Sequence, residues 1–272
     1  MRLPRSIIFL MTPERDPVAR VSAASAQGER SHQEDRFVHQ WIDLPSIPKG
    51  IGWLLGVFDG HRGGRTADKA SHEFIPLFSS MLDAHGGNVP AALRDTFASL
   101  NKMTRVHICG STASVVFVPQ DAESVYMAVL GDSPVAVLSS DGKVHVGPDH
   151  NVRTNSRERS AALARGGVFY EGYLEDSQLP GVGLQMARAL GDADLDRVLS
   201  REPEIETFPL GGKGIVLVGS DGLLLPGAGS NQDQLARLLS MIHQGADAEV
   251  LIQDALRRQT GDNVTAIVWR KD

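Results

Sequence analysis

The chain has 272 residues, 42% of them hydrophobic, with a formal net charge of -6 and a single cysteine. That length suffices to bury a substantial core, whereas the acidic balance excludes a phosphate backbone as the main partner, because nucleic-acid binding needs concentrated Lys and Arg. The lone Cys109 excludes an internal disulfide and any Cys-based zinc site, a pattern expected of a reducing, cytoplasmic compartment, and it reads as a small buried residue.

Residues 1–20 are expected to form an N-terminal extension or an edge strand. The apolar run from Ser6 to Met11 is too short for a signal sequence, and no small-residue cleavage site follows it. No later stretch approaches the length of a membrane span, so no membrane partner is expected. Residues 21–272 show no composition break, internal repeat or low-complexity segment and are read as one domain.

Within it, runs rich in Val, Ile and aromatics predict strands at 53–58, 111–118, 124–130, 134–138, 143–146, 215–218 and 264–269. Those between 111 and 146 are joined by turns too short for the crossovers that parallel neighbours need, so they are antiparallel. Helical periodicity marks 66–82 and 90–103. It returns where Leu235, Leu238, Leu239 and Ile242 share a face, followed by Val250, Leu251 and Leu256. Helices thus come in pairs between strand blocks, which predicts an α+β fold of sheets packed on each other with helices outside. The turn-rich stretch at about 149–183 reads as a flap inserted in that sheet system.

Four apolar runs begin or end at an aspartate beside glycine: Gly56-Val57-Phe58-Asp59-Gly60-His61, Val129-Leu130-Gly131-Asp132-Ser133, Val218-Gly219-Ser220-Asp221-Gly222 and Gly261-Asp262-Asn263-Val264. Any one of these dipeptides is an ordinary turn, as Asp141-Gly142-Lys143 is here. Four carboxylates at the ends of β-branched runs are different. Buried acids are strongly penalised alone, while hard divalent cations take oxygen ligands readily, so the pattern points to a metal enzyme.

Taken in order, Arg30-Ser31-His32-Gln33-Glu34-Asp35, Asp59-Gly60-His61-Arg62-Gly63-Gly64, Gly110-Ser111-Thr112-Ala113, Gly131-Asp132-Ser133, Arg188-Ala189-Leu190-Gly191-Asp192, Ser220-Asp221-Gly222 and Gly261-Asp262-Asn263 resemble one family. It is that of the metal-dependent PPM, or type 2C, protein serine/threonine phosphatases. The resemblance runs from about Val21 to Trp269. It implies two antiparallel β-sheets packed as a sandwich and flanked by helix pairs, in α/β/β/α layers.

The same resemblance implies two Mn2+ or Mg2+ ions, with a third held more weakly. Asp59 would bridge the pair, the Gly60 carbonyl, Asp221 and Asp262 would complete the protein ligands, and Glu34 would lie in or just behind them. Asp132 would help hold the third ion and Asp35 would hold metal-bound water, which attacks phosphorus directly. Arg30 has a planar, permanently charged guanidinium suited to the phosphate. His61 would protonate the leaving alkoxide. Asp192 reads equally well as a functional residue and as a plain turn after the flap. Arg153, Arg157, Arg159 and Arg165 make the flap basic, which reads first as a solvated charged face and only second as a surface for acidic phosphopeptides.

The chain departs from the family pattern at Pro134, Arg62 and Leu224-Leu225, none of them a metal ligand. The expected protein is a monomer acting on phosphoserine and phosphothreonine proteins made by a protein kinase. Its rivals are a non-catalytic phosphoprotein-binding module and a metal phosphoesterase for small molecules.

Overall fold

The computed structural model describes residues 8–11 and 19–271; the remainder of the expected N-terminal extension lies outside the described residues. The chain opens with β1 (Ile8–Met11), β2 (Ala19–Ala26), β3 (Arg36–Asp43), β4 (Ile51–Phe58) and the short β5 (Gly60–His61). Two helices follow, α1 (Arg65–Ala84) and α2 (Val89–Thr104). Next come β6 (Gly110–Ser111), β7 (Ala113–Pro119), β8 (Ser124–Leu130), β9 (Val135–Ser139) and β10 (Val144–Val146). The flap consists of α3 (Ser156–Ala164), β11 (Gly167–Tyr170), β12 (Tyr173–Asp176) and β13 (Leu179–Leu184). The chain then runs through β14 (Leu190–Gly191), β15 (Glu204–Pro209), β16 (Gly214–Gly219), α4 (Asn231–His243), α5 (Ala248–Arg257) and β17 (Val264–Lys271).

Two large antiparallel sheets stack face to face, one ordered β1-β2-β17-β16-β9-β10 and the other β15-β8-β7-β4-β3. Period-2 alternation explains the stacking, since successive side chains point to opposite faces and here both faces are apolar. Trp53, Leu55 and Val57 of β4 meet Val216 and Val218 of β16 and Trp269 of β17 between the sheets. On the other face of β4, Leu54 and Phe58 pack under Phe74 and Phe78 of α1 and Phe97 of α2. Ile215 and Leu217 of β16 likewise pack under Leu235, Leu239 and Ile242 of α4 and Leu251 of α5. The result is the expected α/β/β/α order of layers.

Outside the flap, three of the longer strands escaped the sequence pattern, β2, β3 and β15. In β2 (ARVSAASA) and β3 (RFVHQWID), small or polar residues dilute the β-branched signal, although all of β2 except Arg20 is buried. β15 (EIETFP) is half-exposed along an edge. The flap, expected as turn-rich chain, contains a helix and a three-stranded sheet. Asn155 starts α3 by accepting from the backbone N–H groups of Arg157 and Glu158. The flap is moored to the body by Arg188, which donates to both Glu158 oxygens at 2.9 and 2.5 Å and to the Glu202 carbonyl at 2.9 Å.

Candidate active site

The sandwich brings the four Asp-Gly motifs to one rim. β4 of one sheet ends at Asp59, β16 of the other ends just before Asp221, β17 begins just after Asp262, and Asp132 lies in the turn that carries the chain from β8 to β9 and so between sheets. Backbone bonds stitch this rim together. Thr112 N–H donates to the Asp59 carbonyl at 2.9 Å, and the Asp59 N–H donates to Thr112 Oγ1 at 3.0 Å. Thr112 Oγ1 also sits 2.7 Å from Ser133 Oγ, fixing the Asp132 turn against Asp59.

Asp35 joins the same group from the loop before β3, and it is only 3% exposed. Ser220 Oγ and Thr265 Oγ1 each donate to its Oδ2 at 2.7 Å, while its buried Oδ1 has no hydrogen bond. Burial, reinforced by Asp262, pushes the Asp35 carboxyl up to about 6. Burial together with Asp149 does the same for Asp132, also to about 6. Asp59 and Asp221 are held well above the ordinary carboxylate range, first by burial and then by mutual repulsion among Asp35, Asp132, Asp221 and Asp262. Such crowding is unfavourable without a countercharge. Arg30 faces this group, its Nη2 donating to Asp262 Oδ2 at 2.6 Å. An unpartnered buried oxygen and a set of hard oxygen donors short of positive charge are what a divalent-cation centre requires.

Glu34 and Gly60 lie side by side. A side chain at Gly60 would overlap the Glu34 carbonyl oxygen, so the close approach needs glycine there. Asn263 anchors the segment: its Oδ1 accepts the Glu34 N–H at 2.8 Å, and its Nδ2 donates to the Gln27 and His32 carbonyls at 2.8 and 2.9 Å.

His61, on β5, has its Nε2 2.7 Å from Asp192 Oδ2, and its buried Nδ1 has no hydrogen bond. Asp192 is fully buried. The residue read as an even chance of a turn therefore does both: it adopts a left-handed φ of 49° and orients the histidine. Gly110, paired with His61 across β6, leaves room for this contact, since a Cβ there would overlap both Asp192 Oδ2 and His61 Nε2. Arg62, at the departure from the family pattern, holds Asp194 in a two-pronged pair at 2.9 and 2.5 Å and reaches Asp192 at 3.4 Å.

Beside the carboxylates opens a cleft of about 360 Å³, lined among others by Asp132, Asp221, Asn151, Arg153, Leu224 and Leu225. The Leu224-Leu225 departure thus belongs to the cleft wall, whereas Pro134 accepts a backbone bond from Gly219 at 3.0 Å. Of the four flap arginines, only Arg153 lines the cleft. Arg165 donates to the Val198 carbonyl, and Arg159 donates to the Val152 carbonyl and covers the Phe169 ring. Cys109 is half-buried, more open than its sequence context suggested, because it sits on the loop entering β6.

Sequence reasoning did not find Ser220, Thr265 or Asn151, which donate to Asp35 and Asp132. Hydroxyls and amides carry no spacing signal that separates them from turn residues. A second group, His150, Glu158 and Glu204, offers ligand atoms within 4.8 Å of one another, but Arg188 already pairs with both of its acids.

The profile of the family described as "Protein phosphatase 2C" matches residues 19–264. "Probable protein phosphatase 2C 22" of Arabidopsis thaliana is 30% identical, over 93% of this chain and 68% of its own length. Among solved structures, the serine-threonine phosphatase 2C from Toxoplasma gondii superimposes with a TM-score of 0.74 at 19% identity, covering 99% of this chain and all of that one. The catalytic domain of the serine/threonine protein phosphatase PstP, solved in complex with two manganese ions, gives 0.58 at 22% identity, covering 93% and 98%. With the matched profile spanning nearly all of the described chain and the carboxylate rim in place, this protein belongs to the protein phosphatase 2C family.

Proposed function

We propose that this chain hydrolyses phosphoserine and phosphothreonine in proteins at a Mn2+ or Mg2+ centre, with Asp59, the Gly60 carbonyl, Asp221 and Asp262 holding two ions, Glu34 beside them, and Asp132 serving a third. The observation that carries this reading is the convergence of Asp35, Asp59, Asp132, Asp221 and Asp262 at one rim, with four of their carboxyls raised by burial and mutual repulsion. Bound cations supply activation of water near neutral pH and neutralisation of the phosphoryl oxygens.

The chain's own groups do the rest. Arg30 exchanges its Asp262 partner for the phosphate, to which its guanidinium can donate two parallel hydrogen bonds. Asp35 keeps one oxygen occupied by Ser220 and Thr265 and presents the other, Oδ1, as acceptor for the attacking water. His61 delivers a proton to the departing serine or threonine oxygen. With Nε2 taken by Asp192, the atom left for that transfer is Nδ1. Asp192 is a positioning residue, since it acts through the imidazole. The cleft beside Asp132 and Asp221 then receives the polypeptide around the phosphate.

The finer expectations stand with this reading: one domain over residues 21–272, a monomer, a cytoplasmic setting and the reversal of a protein kinase. No described helix is long and apolar enough to cross a membrane. The test is an assay of purified protein on phosphoserine, phosphothreonine and phosphotyrosine peptides, sugar phosphates and nucleotides, with Mn2+, with Mg2+ and in excess EDTA. Metal-dependent turnover of the first two peptides is expected. Binding without turnover selects the non-catalytic rival, preference for small phosphates selects the phosphoesterase, and full activity in EDTA rules out the metal centre.

A further inference from the structure

We propose that the groove between the first turns of α1 and the loop after α2 docks the substrate polypeptide beside its phosphorylated residue, taking an apolar side chain next to an acidic one. The inference rests on the phosphatase reading and adds to it a place and a chemistry for substrate selection.

The apolar part is unusual for a surface. Val106 is 75% exposed, Ile108 56% and Met103 39%, three large hydrophobic residues within six positions. Single exposed hydrophobics need no explanation, but a contiguous cluster marks a contact surface. Met103 and Val106 line a groove of about 600 Å³ with Arg65, Lys69, His72 and His107.

The loop is fixed to the catalytic histidine's support. The His107 carbonyl accepts the Ala193 N–H at 2.9 Å, the Cys109 carbonyl accepts the Asp192 N–H at 3.3 Å, and Thr66 Oγ1 donates to the Cys109 carbonyl at 2.7 Å. One residue later Gly110 pairs with His61. The apolar cluster is thus continuous, through the backbone of residues 107–110, with the residues that hold His61, the group that protonates the leaving oxygen. That oxygen belongs to the substrate protein, so the substrate's main chain must run over nearby surface.

Charge selects the second half of the proposal. The two acids at the groove are already paired, Asp68 with Arg36 at 2.5 Å and Glu73 with Lys69 at 2.8 Å. The Arg65 side chain has neither hydrogen bond nor ion pair among the described residues. On a chain of net charge -6, an uncommitted guanidinium in the groove beside Met103 and Val106 favours a carboxylate on the incoming peptide.

The experiment measures kcat and KM on phosphothreonine peptides in which a Leu-Glu pair is walked through five positions on either side, with Ser-Ser controls and p-nitrophenyl phosphate. Wild type is expected to prefer one register about 5–10-fold, through KM. Val106→Asp should erase that preference, and Arg65→Glu should transfer it to Leu-Lys peptides. Neither variant should change p-nitrophenyl phosphate kinetics, which also verifies folding. No preferred register in wild type, or a preference that survives Val106→Asp, overturns the inference and leaves the phosphatase reading intact. So does a wild type that Val106→Asp converts from dimer to monomer in sedimentation without changing the kinetics, because the groove then serves a second copy of the chain. A wild type inactive on every substrate overturns both.

Discussion

His61 Nε2 lies 2.7 Å from Asp192 Oδ2, a contact between residues 131 positions apart. In the proposed mechanism it leaves Nδ1 as the nitrogen for proton transfer and makes the two substitutions below unequal. His61→Gln removes the acid, so hydrolysis of a phosphoserine peptide should fall about 10²-fold or more. p-Nitrophenyl phosphate, whose leaving group departs as an anion, should suffer clearly less. Asp192→Asn keeps the imidazole but loosens its orientation, and should give a smaller loss with the same substrate selectivity. Equal losses on both substrates, at unchanged metal content, would assign His61 to positioning instead.

Asp221→Asn and Asp262→Asn should abolish activity while the fold survives, because each removes charge from the rim and leaves the strands of both sheets intact. Calorimetric titration with Mn2+ checks this. Wild-type affinity in both variants would take these residues out of the site.

The metal-free protein should behave oppositely to most proteins on mild acidification. Asp35 and Asp132 reach about 6 in the folded chain against the ordinary 3.8, and Asp59 and Asp221 are also held well above that ordinary value. A carboxyl with a raised folded pKa binds more protons folded than unfolded, so its contribution to stability is lost as pH rises from about 4 through 6 and above. In EDTA, therefore, Asp221→Asn should melt above wild type at pH 8, and the gap should shrink at pH 5. Scanning calorimetry at the two pH values reads it directly; a gap independent of pH contradicts the crowding.

Asp132→Ala should lower kcat at saturating Mn2+ with two ions still bound, the signature of an interaction made in the transition state and not in the ground state. Asn151, which donates to Asp132 Oδ2 at 2.9 Å, should give a weaker version of the same defect on conversion to Ala. Normal kcat in Asp132→Ala would reduce that aspartate to a turn residue.

What could be read from the chain follows the strength of each physical signal. β4 and β8 are long apolar runs buried on both faces, and both were legible to within two residues. β2 was not, because its small buried residues look, in isolation, like turns, and the flap strands were not, because they are short, largely exposed and interrupted by glycine. At the site, Asp59, Asp132, Asp221 and Asp262 announced themselves through glycine at strand ends. Asp192 did not, since only the folded chain brings it to His61. Ser220 could be quoted as part of a motif, but its bond to Asp35 spans 185 residues and leaves no trace in local spacing.

Asn263 and Gly28 show how late the site closes. The Asn263 side chain binds the backbone of Gln27, His32 and Glu34, and a side chain at Gly28 would collide with the Asp262 carbonyl. The loop that presents Arg30 is therefore moulded on the segment that leads into β17, which itself pairs with β2 along its whole length. During synthesis, residues 27–34 emerge long before their template. A chain ending short of Asp262 lacks an acid of the rim and also the mould for the loop that carries Arg30, so under the proposed mechanism a nascent chain is expected to stay inactive until the final strand has docked.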